Sequence, residues 1–233
     1  MATFLQLAVR LRQECGVAGT GPTAVTNQTG ESKRLVDWAS QSYVDIQNKH
    51  RGNWRWLRSE FSLSTSSGDD EYAYGDATDT IASATISRFA RWHLDGTTKI
   101  YLTSSGVGTQ NFLTPIDWPD FQAIFKIGSQ TNSYPGFVAV DPRRKLRLGP
   151  KPDAAYTVTG DYQKSAQILA ADADEPEMPS DFHMLIVYEA MKKYAAYHGA
   201  PEVWTAAREE YFRMMRDLEV DQLPVPSFGG PLV

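Results

Sequence analysis

Residues 179–220 read PSDFHMLIVYEAMKKYAAYHGAPEVWTAAREEYFRMMRDLEV, and this run carries two amphipathic helices in succession. After Pro179, either Ser180 or Asp181 is placed to accept an orphan amide as N-cap. Phe182, Ile186, Val187, Ala190, Met191 and Tyr194 then recur at helical spacing. Met184, Leu185 and Tyr188 widen that apolar face, which implies burial on more than one side. Gly199 closes this helix and Pro201 opens the next. There Trp204, Ala207, Tyr211, Met214 and Leu218 step by three and four, the spacing of a packing seam. Glu209 and Arg213 are spaced to pair across one turn outside it.

Two such faces need a partner, and the other end of the chain supplies it. Thr3 and Gln6 form a capping box, after which Phe4, Leu7, Ala8, Leu11 and Cys15 keep helical spacing up to Gly16. The Gly- and Thr-rich stretch 16–30 reads as a loop. A second helix is predicted from about Thr29, with Glu31 favourable near its positive end and Leu35, Val36, Ala39, Tyr43 and Ile46 on its buried face, ending before Gly52.

Between these ends the pattern changes. From Phe61 to about Tyr162 the chain favours Thr, Ser, Ile, Val and aromatic residues, punctuated by Gly, Pro and Asp. Trp92 and Leu94 alternate up to Asp95-Gly96, and Ile100 and Leu102 alternate beyond it. The spacing predicts a hairpin with Trp92 opposite Ile100. A second pair runs from Phe137–Val140 through Asp141-Pro142 to Leu146 and Leu148. Tyr156, Val158 and Tyr162 mark a further strand, and Pro119 opens a short helix carrying Phe121, Ile124 and Phe125. The expected fold class is α+β: a helical bundle built from both chain ends, an inserted antiparallel β domain, and an extended C-terminal tail. The expected boundaries are 1–58 and 169–220 for the helical domain, 59–168 for the β domain and 221–233 for the tail.

Composition narrows function by exclusion. The 233 residues carry a net charge of −5, which argues against a general nucleic-acid binder. One cysteine, Cys15, forbids an internal disulfide and leaves a cysteine zinc site with one ligand at most. No secretory signal and no run long enough to cross a bilayer is visible, so a soluble protein is predicted, with no membrane partner. His50, His93, His183 and His198 stand apart and form no metal motif, and the helical pair reads as structural. Gly19-Thr20-Gly21-Pro22 and Ser104–Gly108 lack the lysine of a phosphate loop. The acidic runs Asp172–Glu177 and Asp69–Glu71 read as solvated loops rather than metal sites. The chain is therefore expected to be no enzyme and to need no cofactor.

Three features point to partners. Arg143, Arg144, Lys145 and Arg147 form either a surface for an acidic partner or a solvated hairpin end with Leu146 and Leu148 turned inward. Trp54-Arg55-Trp56 is either an interface anchor or core packing beside the second helix. Beyond Asp221 the chain carries Leu223, Val225, Phe228, Leu232 and Val233 on a proline-stiffened backbone, suited to docking in a partner's groove.

Taken together, Phe4–Gly16, Leu35–Trp38 through Ile46 with Trp54–Leu57, and Tyr162 to Ala190 with Leu169, Asp172, Asp174, Pro176, Met178-Pro179 and Phe182-His183 resemble the head-to-tail adaptor, or head-completion, proteins of tailed bacteriophages, including the tubular-tail A relatives. The resemblance implies a dodecameric ring in the virion neck, made in the host cytoplasm and seated below the portal protein. It also implies that genomic DNA passes through without sequence-specific binding, that the C-terminal segment reaches into the portal, and that the β domain faces tail or nozzle proteins. About twelve copies at −5 each would give the ring a charge near −60, which repels DNA in transit. The competing readings are a β-domain enzyme and a receptor- or carbohydrate-binding β module of a tail component.

Overall fold

The computed structural model of the chain describes residues 2–224. Its helices are α1 (Phe4–Glu14), α2 (Gly30–Asn48), α3 (Trp118–Phe125), α4 (Met184–His198) and α5 (Pro201–Gln222). The strands are β1 (Arg58–Ser64), β2 (Glu71–Tyr72), β3 (Ala77–Asp79), β4 (Ala84–Thr85), β5 (Arg91–His93) and β6 (Lys99–Leu102). They continue with β7 (Asn111–Phe112), β8 (Thr114–Pro115), β9 (Phe137–Val140), β10 (Leu146–Gly149) and β11 (Tyr156–Gln163). The fold is α+β. Residues 2–57 and 166–224 pack as one unit, and Arg58–Ser165 as another.

In the helical unit, Phe4, Leu7 and Leu11 of α1 meet Leu35, Tyr43 and Ile46 of α2 and Leu185, Ile186 and Ala190 of α4 in one core. The capping box forms: the Gln6 amide donates to Thr3 Oγ1 and the Thr3 amide to Gln6 Oε1. A second device completes this end. The Phe4 and Leu5 amides donate to the carbonyls of Asp174 and Asp172, so three of the orphan amides of α1 have partners. That loop is not merely solvated, because Asp174 Oδ2 also accepts from the Ala170 and Ala171 amides. Gly16 takes the left-handed conformation after α1, at φ 66°.

Helix α2 ends at Asn48, and His50, Arg51 and Gly52 then turn the chain with positive φ. Trp54 folds back beneath, its indole N–H donating to the Ile46 carbonyl at 3.0 Å. The start of α4 departs from expectation. Ser180–Phe182 forms a separate 3₁₀ turn, and neither Ser180 nor Asp181 caps the helix. His183 holds the junction instead: its Nε2–H donates to the Met178 carbonyl and its Nδ1 accepts from the Ala2 amide, which fixes a neutral tautomer. Gly199 turns left-handed at φ 65°, and α5 folds back along α4. On α5 the buried residues are Ala207, Tyr211, Met215 and Leu218. Met215, not Met214, lies in the seam, and Trp204 stays 41% exposed over the small residues of the turn. Arg213 pairs with Glu210 rather than Glu209.

The β unit contains a seven-stranded sheet, ordered β4-β3-β1-β11-β6-β7 with β5 also on β11, and a four-stranded sheet, ordered β2-β10-β9-β8. Every pairing is antiparallel except β8 with β9. The β9–β10 hairpin forms, with Val140 opposite Leu146 and Val138 opposite Leu148. The Asp95-Gly96 hairpin does not. Strands β5 and β6 run the same way and both pair with β11, placing Trp92 opposite Tyr162 and Ile100 opposite Val158. Residues 94–98 loop out opposite Gly160 alone, an enlarged bulge. Arg58 holds it by donating to both Asp95 and Asp161, at 2.9 and 2.8 Å. Gly160 fits closely there, since a Cβ would stand 3.1 Å from the Phe61 ring and 3.2 Å from Thr98 Oγ1, and those side chains would have to give by a few tenths of an ångström. Helix α3 starts at Trp118, one residue before Pro119, and lies on β10 so closely that a Cβ on Gly149 would be 2.6 Å from Phe125.

Candidate functional site

The basic run at the β9–β10 turn is where charge is densest, and folding divides it. Asp141 Oδ1 accepts from the Arg143 and Lys145 amides, which ties the turn. Arg147 is buried; it donates to Asp141 Oδ2 at 3.1 Å and reaches Glu71 and Asp70. Lys145 pairs with Glu71. Lys126 pairs with Asp70 at 2.5 Å. The Arg144 carbonyl accepts the Trp92 indole N–H at 2.8 Å, while its guanidinium donates to the Ala90 carbonyl. Of the four cations only Arg143 and Arg144 are exposed, and Arg147 cannot belong to a partner surface. The Asp69–Glu71 stretch is likewise no free acidic loop. Long-range pairing, invisible along the sequence, joins it to residues 126–151.

Two of these carboxylates, Glu71 and Asp141, are shifted toward the ionised form. Lys145 and the nearby Arg147 guanidinium keep Glu71 below the usual carboxylate range. Burial works against the charge on Asp141, but the Lys145 and Arg143 amides and the Arg147 guanidinium outweigh it, and its pKa is lowered. The same contest at Asp79 ends the same way, with burial opposed by the Tyr162 hydroxyl, the Ala82 and Ile81 amides and Ser59. Burial first, then Glu14 and Glu31, pushes the Cys15 thiol up to about 12, so it is no thiolate nucleophile at neutral pH. Among the described residues no group of three or more His, Cys, Asp or Glu is placed to hold a metal ion, and no helix is long and apolar enough to cross a membrane.

Trp54 is fully buried and stacks on Trp56 with ring centroids 4.7 Å apart, so Trp54 is core rather than partner surface. Trp56 is half-buried against the same core. Of the tail, Leu223 packs at the end of α5, while Val225, Phe228, Leu232 and Val233 lie outside the described residues.

The outer side of α5 was missed by the seam reading. Trp204, Phe212 and Val220 are 41%, 58% and 78% exposed, with Arg208 and Arg216 between them at steps of four. Phe212 and Val220, with Arg55, Arg213, Arg216, Asp217 and Asp221, line a depression of about 1080 Å³. The signal was present as a second apolar series, spaced by eight, on the face away from the seam. In the β unit a groove of about 530 Å³ runs between Trp92, Val140 and Trp118, with Asp117 and Asp120 among its walls.

Compared with known proteins, the chain matches a family model described as SU10 adaptor protein over residues 2–227. A comparison with curated proteins gives no match.

Proposed function

The chain belongs to the SU10 adaptor protein family, a phage structural adaptor, and from that premise we propose that it is a ring-forming neck subunit that joins the portal to the tail and lines the passage for DNA. The observation that carries this reading is the extent of the match, which takes in the helical unit, the β unit and the start of the tail. Two separately packed cores on one chain give a joining protein two bodies, one for each neighbour. The β unit is proposed to meet tail or nozzle proteins, through Arg143, Arg144 and the half-buried Lys145. The helical unit, with half-buried Trp56, is proposed to meet the portal, with Leu223, Val225, Phe228, Leu232 and Val233 as its anchor. An extended apolar segment gains affinity by adding backbone hydrogen bonds or filling a groove on a folded partner.

The anchoring role is tested by deleting Leu223 to Val233. The shortened chain should fold and fail to attach to purified portals; normal attachment would remove the tail from this role. A second reading, glycan binding by the β unit, has the Trp92–Trp118 groove in its favour, since aromatic faces and carboxylates together suit sugar rings. A glycan array on the purified chain separates the two.

A further inference from the structure

We infer that the groove between Trp92 and Trp118 docks an extended peptide segment of a partner protein, apolar along its middle, with a basic residue at one end and an acidic residue at the other. The source of that segment, a tail or nozzle protein, rests on the neck reading above; its chemistry rests on the groove alone.

Two depressions of the β unit, of about 530 and 450 Å³, share Trp92 and Val140 in their walls. Half-buried Leu94, Ile116, Trp118 and Val140 make the first one apolar. Leu94 and Val140 rest on the β-unit core, so this wall is fixed from behind. The two ends differ in charge. Asp117 and Asp120 line the first depression with no cation beside them, and Arg91 and Arg144 line the second with no carboxylate. A segment crossing both meets carboxylates, then apolar wall, then guanidinium.

Other charges around the groove are balanced within the chain. Arg147 lies over the Trp118 ring at 5.7 Å, but Asp141 and Glu71 already answer it. Lys126 pairs with Asp70, and Arg58 closes on Asp95, next to Leu94. Asp117, Asp120 and Arg144 are different. All three are exposed and make no ion pair among the described residues, Arg144 donating instead to the Ala90 carbonyl. Asp117 precedes α3, yet its side chain caps no amide there. Charges of opposite sign on an incoming segment would fix its direction and register.

The backbone beside the groove excludes strand addition as the way of holding that segment. β8 is the outer strand of its sheet, and the Thr114 and Ile116 amides are taken up by the Gly136 and Val138 carbonyls. Between them stands Pro115, which has no N–H to offer an added strand. Recognition therefore falls to side chains, with an apolar anchor against Trp118 and Val140 and a charge at each end. A sugar is the poorer occupant. Trp92 is 6% exposed and its indole N–H is taken by the Arg144 carbonyl at 2.8 Å, so it presents no open ring face for stacking.

The test is selection of a random peptide display library on the purified chain. Enriched peptides should carry Lys or Arg on one side of an apolar core and Asp or Glu on the other, in one fixed order, at about tenfold over the unselected library. Selection on Asp120→Lys should replace the basic position by an acidic one, and selection on Arg144→Glu should replace the acidic position by a basic one. Both side chains are on the surface, so both variants should keep the wild-type melting temperature; Asp117→Lys repeats the first reversal if Asp120→Lys unfolds. No enrichment, enrichment without that charge order, or variants that select the wild-type pattern would overturn the docking site. So would glycan-array binding that Trp118→Ala abolishes. A copy number in particles far from one per portal subunit would instead remove the tail or nozzle source, without altering the selected peptides.

Discussion

The two units of this chain bury charge very differently. Among the described residues, the helical interior holds one ionised side chain, Arg12, whose guanidinium donates to the Gly19 carbonyl. The β unit buries Asp70, Asp79, Asp141 and Arg147. The cause lies in the backbone. Helices satisfy their own amides except at the ends, and α1 is finished by Thr3 and by two loop carbonyls, so the core can stay apolar. Most strands of the β unit are only two to four residues long, which leaves many turns whose amides need acceptors. Asp141 accepts from the amides of its own turn, and Asp79 accepts from those of Ile81 and Ala82. Those carboxylates are buried where the turns need acceptors, and Arg147 is buried where it answers Asp141 and Asp70.

That contrast predicts where the protein is fragile. The largest expected effect comes from Arg147→Met. It leaves Asp141, 2% exposed, without its guanidinium partner, and breaking a buried pair costs about 3–5 kcal/mol. Hydrogen exchange should show residues 137–149 losing protection while residues 184–198 keep theirs. Equal loss in both would mean that the two cores do not stand separately.

A smaller, distributed effect is expected in acid. Glu71, Asp79 and Asp141 have folded pKa values below their unfolded ones. Their contribution is therefore present above the unfolded value, roughly 4, and is lost as pH falls through the lowered folded values. The helical unit has Asp45 and Asp174 shifted the same way, but Asp45 is 38% exposed and solvent screens its pair with Lys193. In an NMR titration, signals from the β unit should broaden first on acidification; simultaneous loss would break the comparison.

The smallest effect is Thr3→Ala. It removes one cap and should lower helical-unit stability by about 1 kcal/mol, read by denaturant titration. The bonds from Asp172 and Asp174 to α1 would remain.

The same contrast explains what could be read in advance. The capping box at Thr3, the left-handed Gly16 and Gly199, and the α4 face follow from spacing within one or two turns of helix, and the sequence displays them. The β9–β10 hairpin was legible for the same reason. Asp95-Gly96 misled because a turn-forming dipeptide fixes a local bend and not the strand it serves; the long strand β11 took both flanks, and Arg58, distant in sequence, anchored the loop. The basic run 143–147 looked like a surface because its partners, Asp70 and Glu71, lie some seventy residues earlier. On α5, a single seam absorbed Trp204 and drew attention from the second ridge that Phe212 and Val220 define.

The central claim, that this adaptor is a neck-ring subunit, is most directly tested by its copy number relative to the portal protein in purified particles, measured by quantitative mass spectrometry. The account predicts a ratio near one to one. A large excess over portal would mark a tube or capsid component and contradict it, as would absence from particles.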